Sequence, residues 1–421
     1  MNWFLFIIYL LIFCKLLTKS SFIINSGIRP SILIGIFLLK ISVGVANGWL
    51  MRRYFNGGDT WYYNAEALKE YQLLFQAPKE YLVDIFHSSY QAGYSGWFDS
   101  ANSYWNDLKL NLVIKLLSVC DIFSGGDYYT NAIFFNFIVL FGNVALYKVF
   151  AAIYKDKQNI LLISCFLLPS FLLFTSAIHK EGLILSALGI ALYTIYNSFS
   201  KKRIHITGIM VLIFCLLYIL LQRNFVFLAL LPAFIAWTLI NTKQWHPLKT
   251  FAVVYCIAII VFFTAGMISP SLDLPTYVVA KQTSFFELKN ARTAIATDTL
   301  HPNFISFLYN APEAFNHGTI RPYITEGYSL PLLFPFAIET FVYFFLFFLY
   351  IFCKKQSAAA PINDKAFILN GIFFSLSLIM IIGYTIPITG AIIRYRSIYF
   401  PFLLSPILCL IDWKRLQRKT N

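Results

Sequence analysis

Long apolar runs alternate with short polar segments along almost the whole chain. Each run approaches the length of about 20 apolar residues that an α-helix needs to cross a bilayer. The pattern predicts eleven spans: Asn2–Leu17, Ser31–Leu50, Thr130–Tyr147, Ile160–Ser176, Gly182–Phe199, Ile206–Leu221, Phe225–Ile240, Phe251–Ile268, Pro331–Phe352, Phe367–Ile386 and Ser397–Ile411. We therefore predict an all-α polytopic membrane protein, with residues 1–421 forming a single integral-membrane domain.

Composition strengthens this prediction. Of the 421 residues, 59% are hydrophobic and only 12% are charged, whereas a soluble domain carries about a quarter charged residues. No basic segment precedes the first apolar run and no small-residue cleavage site follows it, so we expect this run to be retained as a helix. The seven cysteines show no CxxC or Cys/His spacing, which indicates packing roles and no disulfide or metal chemistry.

The net charge of +14 could suggest a protein that binds nucleic acid. The basic residues, however, are distributed along the chain in the way that sets the orientation of a membrane protein, so we do not expect nucleic-acid binding. Alternate short loops hold most basic residues: Lys15, Lys19, Arg29, Lys148, Lys155, Lys157, Lys201, Lys202, Arg203, Lys243, Lys249, Lys354, Lys355, Lys365, Lys414, Arg415, Arg418 and Lys419. By the positive-inside rule these loops are cytoplasmic, which places the N-terminus outside and the C-terminus inside.

Two long loops, 51–129 and 269–330, then face outward. The cytoplasmic loops are too short for a nucleotide-binding domain, and neither GxGxxG nor GxxxxGK[ST] occurs in the chain. A nucleotide donor or an ATP-driven step is therefore not expected. Any chemistry is predicted on the outer face.

The first outward loop begins RRYFNGGDTWYYNAEALKEYQLLF, with Asp59 directly after two glycines. Apolar residues then recur at helical spacing: Trp61, Ala65, Leu68, Tyr71 and Phe75. This spacing predicts an amphipathic helix in the membrane interface. Asp59 is interpreted either as the N-cap of that helix or as a general base, and the two roles are compatible.

Further charged or titratable residues stand at the predicted outer ends of spans: His179, Lys180, Glu181, Arg223, Arg394 and Arg396. Each alone fits a snorkelling residue that marks the membrane interface. As a set they are unexpected, because outer ends should be poor in basic residues. A group of cations at the outer leaflet suits a phosphate presented at the membrane surface.

Four segments resemble landmarks of the bacterial GT-C-type integral-membrane glycosyltransferases: GGDTWYYNAEAL, LPSFLLFTSAIHKEGLI, RPYITEG and RYRSIYFPFLL. The resemblance covers the pattern of spans from about Arg52 to Pro406. It implies a GT-C-like fold in the bacterial plasma membrane, with interfacial helices in both outward loops. It also implies transfer of a sugar from a polyprenyl-phosphate carrier to a glycan or lipid-linked acceptor.

The resemblance further implies a general base in the first outward loop, which would be Asp59. Many members carry paired acids there, whereas here only Asp59 stands at the membrane boundary, and Glu66 is the candidate for the second acid. A single displacement with one base would invert the anomeric configuration. No ligand-spaced set of residues is evident, and a divalent metal is left open as the one cofactor.

By the same resemblance, cations on the outer face would hold the carrier phosphate. The candidates are Lys180, Arg223, Arg321 and Arg394, with His179, Glu181 and Arg396 beside them. Tyr62 and Tyr63 are weaker candidates for contact with the sugar or the acceptor.

Three other classes of protein stay open. A polysaccharide polymerase of the O-antigen or exopolysaccharide type would transfer a whole lipid-linked glycan. A transporter or lipid flippase should show inverted repeats and ionisable residues at mid-membrane, and only Lys40 and Glu339 lie inside the predicted spans. A non-catalytic scaffold would leave the outer cations without a purpose.

Overall fold

The computed structural model describes residues 2–86, 104–203, 205–287, 292–329, 331–354, 360–413 and 415. Of these residues 85% are helical and none forms a strand, so the all-α prediction is confirmed for this part of the chain. The helices are α1 (Trp3–Lys19), α2 (Ser21–Ile24), α3 (Pro30–Tyr54), α4 (Gly58–Gln76), α5 (Pro78–Val83), α6 (Tyr104–Ser124), α7 (Tyr128–Ile153), α8 (Gln158–Leu162), α9 (Pro169–Ser176), α10 (Lys180–Lys201), α11 (Ile206–Gln222), α12 (Asn224–Lys243), α13 (Pro247–Ile268), α14 (Leu274–Phe286), α15 (Phe304–Thr319), α16 (Ile324–Ser329), α17 (Phe334–Cys353), α18 (Ile362–Thr385) and α19 (Thr389–Leu410).

Seven helices in the described residues are long and apolar enough to cross a membrane. They are Pro30–Tyr54, Tyr128–Ile153, Lys180–Lys201, Asn224–Lys243, Pro247–Met267, Pro331–Cys353 and Ile362–Thr385. An eighth span results if the segments Gln158–Leu167 and Pro169–Ser176, which meet at 53°, cross together. The bend lies at Pro169, whose ring cannot continue the helical hydrogen-bond ladder. A multi-pass membrane protein is thus confirmed at this level.

The remaining predicted spans also form helices. These helices are either shorter or less apolar than the seven helices of membrane length. Helices α1 and α11 contain 17 residues each. Helix α19 contains 22 residues but carries Arg394, Arg396 and two internal prolines. The total of eleven spans therefore stays a prediction.

Helices α13 and α17 show what surrounds the molecule. Only 11% of the apolar window of α13 and 22% of that of α17 is buried within the protein. Their large apolar side chains, such as Ile260 and Phe341, point outward. Apolar surface of this extent suits the hydrocarbon of a bilayer and would be a liability in water.

The chain folds into two compact units, each assembled from separate segments. Unit 1 contains Met1–Lys148, Leu172–Tyr193 and Met210–Asn224. Unit 2 contains Val149–Phe171, Thr194–Ile209 and Phe225–Asn421. The expectation of a single membrane domain over residues 1–421 stays a prediction.

The first long loop of unit 1 is largely helical where the structure describes it, and residues 87–103 lie outside that description. Helix α4 packs along α6 and buries Tyr63 and Ala67 against Val113, Ile114 and Leu117. A short 3₁₀ turn, Asp84–Phe86, follows α5. The helix predicted after Asp59 is therefore present.

The side of α4 that packs within the protein differs from the apolar face that was predicted to lie in the membrane interface, and that face stays a prediction. Ala65 and Phe75 are exposed, and the buried side carries Thr60, Tyr63, Asn64 and Ala67. The polar members of that side are buried because partners satisfy them. The Thr60 hydroxyl lies 2.5 Å from that of Tyr128, and Asn64 accepts from the Asn131 amide at 2.9 Å.

The second long loop, in unit 2, contains α14, α15 and α16. Helix α15 packs closely on α18, because glycine stands on both helices at the contact. A Cβ on Gly383 would lie 1.9 Å from the Ala314 carbonyl oxygen, and one on Gly318 would lie 2.6 Å from that of Ile379. The loop is therefore held firmly against a membrane-length helix.

Candidate functional site

The predicted site residues divide between the two units. Unit 1 contains Asp59, Tyr62, Tyr63, Glu66, His179, Lys180, Glu181 and Arg223, and unit 2 contains Arg321, Arg394 and Arg396. Each group is described within its own unit.

The turn between α9 and α10 carries His179, Lys180 and Glu181. These side chains are only 6%, 8% and 1% exposed. The turn closes on itself, as His179 N donates to the Ala177 carbonyl at 2.7 Å and Gly182 N to that of His179 at 3.2 Å. A snorkelling residue keeps its charged end in water, so the burial of Lys180 does not fit that interpretation.

Lys40 of α3 fixes the helix end just before this turn. Its fully buried ammonium donates to the Thr175 carbonyl at 3.2 Å, the Thr175 hydroxyl at 2.9 Å and the Ser176 hydroxyl at 3.2 Å. Asn136 donates to the Ser176 carbonyl at 2.8 Å. The last carbonyls of a helix lack internal partners and carry partial negative charge, so a cation there stabilises the end.

The Lys180 cluster comprises Lys180, Arg223, Lys109, Glu181 and Asp59, all in unit 1. The Lys180 ammonium interacts electrostatically with each of the other four. Arg223 Nη2 lies 2.8 Å from Glu181 Oε1, whose side chain is 1% exposed. Three cations and two carboxylates thus share one region. The cations outnumber the carboxylates in this set, a composition that suits an anion.

The Lys180 ammonium also lies over the ring of Tyr63, 5.7 Å from its centroid. Tyr63 is 6% exposed and belongs to the apolar cluster between α4 and α6. Its contact with a sugar or acceptor stays a prediction. Tyr62 is 49% exposed, so contact of this residue with a sugar or acceptor stays a prediction.

Asp59 lies in the first turn of α4 and is exposed. The N-cap position is taken by Gly57, at φ +90°, so the interpretation of Asp59 as N-cap is wrong. A Cβ at Gly57 would meet Trp61 at 2.9 Å. Glycine therefore lets the chain turn tightly into the helix.

The start of α4 is fixed by aromatic packing. Trp61 stacks on Tyr128 with 4.3 Å between ring centroids, and its indole N–H donates to the Gly48 carbonyl at 2.8 Å. These contacts connect α4 to α3 and α7. The Asp59 carboxylate consequently stands on a rigid helix end, where the helix dipole favours negative charge.

Glu66 is ion-paired with Lys69 at 2.7 Å. It lies seven residues after Asp59, which corresponds to about 10 Å along the helix axis. Its role as a second acid stays a prediction.

Arg396 of α19 forms a different arrangement, which we call the Arg396 anchor: Arg396, Thr319, Arg321 and Thr340, all in unit 2. Its Nη1 donates to the carbonyls of Thr319 and Arg321 at 3.3 and 2.8 Å and to the Thr340 hydroxyl at 3.0 Å. Arg396 is 0% exposed. The buried guanidinium binds carbonyls at the end of α15 through Nη1, and its predicted contact with a carrier phosphate stays a prediction.

A buried carboxylate accompanies the anchor. Glu339 interacts electrostatically with Arg396 and accepts hydrogen bonds from Ser170 N at 3.0 Å, from the Ser170 hydroxyl at 3.1 Å and from the Tyr343 hydroxyl. Lys40 and Glu339, the two ionisable residues of the predicted spans, are thus both held by hydroxyl and backbone groups. Such fixed contacts are those of structural anchors.

The other two arginines of unit 2 are also engaged. Arg321 forms an ion pair with Glu326 and lies 5.0 Å from the ring of Tyr323. Arg394 is half-buried and donates to the Tyr395 hydroxyl at 3.2 Å. Their binding of a carrier phosphate stays a prediction.

Lys115 of α6 forms a hub that the sequence did not indicate. Its ammonium lies 2.5 Å from the Glu70 carboxylate and 2.6 Å from that of Asp84, and it donates to the Tyr81 carbonyl at 2.7 Å. Burial raises the pKa of Glu70, while Lys115 acts in the opposite direction. Glu70 and Lys115 are 45 residues apart, so no local spacing could have revealed the hub.

Among the described residues, no three His, Cys, Asp or Glu side chains come together as metal ligands, and a divalent metal stays an open question. Comparison of the chain with family models, with curated proteins and with solved structures finds no match.

Proposed function

We propose that the protein is a membrane-embedded glycosyltransferase that moves a sugar from a polyprenyl-phosphate carrier to a glycan or lipid-linked acceptor. The observation that carries the proposal is the Lys180 cluster. An exposed carboxylate, Asp59, lies within electrostatic reach of a buried lysine that also interacts with Arg223 and Lys109. Transfer from a lipid phosphate needs these two kinds of group together.

The cations would bind the carrier phosphate. As the bond between the anomeric carbon and the phosphate oxygen breaks, the leaving phosphate gains negative charge. Fixed positive groups that meet developing charge are usually the largest contribution to catalysis. Lys180 and Arg223 suit this role, since Glu181 fixes the Arg223 guanidinium at 2.8 Å and the turn fixes Lys180.

The carboxylate of Asp59 would act as the base. It takes the proton of the acceptor hydroxyl while that oxygen forms its bond to the anomeric carbon. The polyprenyl phosphate leaves with the electron pair of the broken bond. One displacement with one base inverts the anomeric configuration.

The topology belongs to the same proposal: eleven spans in the bacterial plasma membrane, the N-terminus outside and both long loops on the outer face. Support comes from the membrane-length helices and from the basic residues of the alternate short loops. On this topology the Lys180 cluster meets its carrier at the outer leaflet.

The experiment is Asp59→Asn, which removes the base and keeps the size of the side chain. The full-length protein in nanodiscs is given polyprenyl-phosphate hexoses, with lipid-linked oligosaccharides from bacterial membranes as acceptor, and release of polyprenyl phosphate is measured. Loss of a general base should lower turnover about 10²–10⁴-fold. Glu66→Gln, an equal change of charge on the same helix, tests the candidate second acid beside it.

Near wild-type turnover in Asp59→Asn would remove Asp59 from the mechanism. A large loss in Glu66→Gln alone would move the base to Glu66. If no hexose donor is consumed by the wild-type protein, the glycosyltransferase proposal fails.

A further inference from the structure

The last turns of α11 contain buried polar groups that the described residues leave without hydrogen-bond partners. Gln222 is 1% exposed, and neither its Oε1 nor its Nε2 has a partner. The hydroxyl of Tyr218 is likewise buried and unpartnered. The two residues are four positions apart and therefore share one face of the helix.

Such groups are costly, because a buried donor or acceptor that loses its water without a replacement destabilises the fold by about 1–3 kcal/mol. Asn143 of α7 shows the same feature, as both its amide atoms are buried and unpartnered. Its helix contributes no residue to the Lys180 cluster. Tyr218 and Gln222 differ from it in what lies beside them.

Tyr218 packs against the apolar cluster that contains Tyr63, Ile178 and Leu183. Tyr63 is the residue whose ring lies under the Lys180 ammonium, and Ile178 precedes the turn that carries Lys180. Tyr218 therefore packs on the same apolar cluster as residues next to Lys180.

Gln222 borders the same cluster through the chain itself. The next residue, Arg223, lies 2.8 Å from Glu181 at the start of α10. The end of α11 thus carries a phenol, a carboxamide and a guanidinium, and the guanidinium pairs with Glu181 directly after Lys180.

The chemistry of the two unpartnered groups defines what they would bind. A carboxamide offers two donors and an acceptor, and a phenol offers one donor and an acceptor. Neither carries charge, so they suit neighbouring hydroxyl groups on a ring, next to an anion held by the cations. We infer that Tyr218 and Gln222 form the subsite for the sugar hydroxyls of the donor. This inference rests on the proposed function.

The test compares two probes in nanodiscs: farnesyl phosphate, and farnesyl phosphate carrying glucose, galactose or mannose. Thermal unfolding is measured for the wild type, Gln222→Leu, Tyr218→Phe and Asn143→Leu, without and with each probe. Without a probe, all three variants should unfold at a higher temperature than the wild type, because each replaces an unpartnered polar group with an apolar one.

With probes, the wild type should bind at least one hexose-bearing lipid about tenfold more tightly than farnesyl phosphate, the worth of one or two hydrogen bonds. Gln222→Leu and Tyr218→Phe should bring this ratio close to one while the affinity for farnesyl phosphate stays unchanged. Asn143→Leu should keep the wild-type ratio, and Lys180→Ala should weaken binding of both probes.

A lower unfolding temperature for Gln222→Leu and Tyr218→Phe without a probe would assign the two groups a structural role and overturn the subsite. If the ratio of the two affinities is unchanged in both variants, the subsite is also overturned. Bound water would then be the partner of the Tyr218 and Gln222 side chains. If the wild type binds both probes equally, the subsite fails while phosphate binding by the Lys180 cluster survives. If it binds neither, the proposed function fails as well.

Discussion

The Lys180 cluster and the Arg396 anchor each centre on a buried cation at the predicted outer end of a span, yet the surroundings of the two cations differ. Arg396 donates to two carbonyls and a hydroxyl, with the Glu339 carboxylate nearby. Lys180 instead interacts with two further cations as well as with Glu181 and Asp59. A cation among neutral acceptors and one carboxylate stabilises a fold. A cation placed beside other cations costs stability, and such conflicts concentrate at functional sites.

The comparison first requires that both regions lie on the outer side of the membrane. Reporter fusions at Lys202 and Lys355 should be read as cytoplasmic, and fusions near Gly93 and Asn310 as external, an all-or-none difference. Gly93 and Lys355 lie outside the described residues and serve only as fusion points. A cytoplasmic signal near Gly93 would place Asp59 inside and contradict the proposed mechanism.

The largest energetic difference is expected at the anchor. Arg396→Met leaves two carbonyls and the Thr340 hydroxyl without their donor. A buried acceptor that loses its partner costs about 1–3 kcal/mol. Unfolding in mixed detergent micelles, followed with a thiol-reactive dye that labels buried cysteines on exposure, measures this loss.

The control is Arg394→Met, the same substitution two residues earlier in α19 at a half-buried position. It should lose clearly less stability than Arg396→Met. Equal stability of Arg396→Met and the wild type would end the distinction between anchor and cluster.

Lys180→Ala should give the opposite profile, with little loss of stability and a marked loss of donor use. A charge-assisted contact contributes about 1.5–3 kcal/mol, so the dependence of the rate on donor concentration should weaken roughly tenfold to a hundredfold. Lys180→Arg should recover part of this, because the charge survives and the geometry changes. Lys69→Ala, an exposed lysine of α4, should leave donor use unaltered. An unchanged donor dependence in Lys180→Ala would remove Lys180 from the phosphate site.

The smallest expected effects are two opposite responses to acid. In unit 2, burial and Arg321 lower the pKa of His317 to about 4, against a smaller opposing effect of Asp298. The unfolded chain then binds more protons, so unit 2 should lose about 1–2 kcal/mol as the pH falls from 7 to 5. In unit 1, the raised pKa of Glu70 favours the protonated carboxyl in the fold. Its contribution is fully present in acid and is lost as the pH rises through its folded pKa.

His317→Asn and Glu70→Gln should each flatten the corresponding slope. The measurement is the unfolding temperature of both variants and the wild type between pH 4.5 and 7.5. A His317→Asn profile that parallels the wild type would show that another group dominates the acid response.

Much of the local structure could be predicted from sequence because its causes are local. The apolar runs predicted helices at the right places, and the helix after Asp59 is present as α4. The side on which α4 packs within the protein could not be predicted, since Thr60 and Asn64 are polar in sequence but are buried opposite Tyr128 and Asn131. An argument from hydrophobic periodicity assigns polar residues such as these to the exposed side of a helix. Their burial becomes evident only when their hydrogen-bond partners are known.

The sequence alone determined the class of this protein, an all-helical chain with repeated apolar segments of membrane length. Such segments can be recognised from neighbouring residues, without knowledge of contacts to distant parts of the chain. Tertiary structure decided which ionisable groups meet. Lys40 reaches Thr175 across 135 residues of chain, and Arg396 reaches the Arg321 carbonyl across 75. Sequence spacing carries no trace of such pairings, because they depend on how helices pack. For the same reason the sequence could not distinguish the cations at the span ends from one another. Helix packing distinguishes them, because it gives Arg396 neutral acceptors and places Lys180 within electrostatic reach of Arg223 and Asp59.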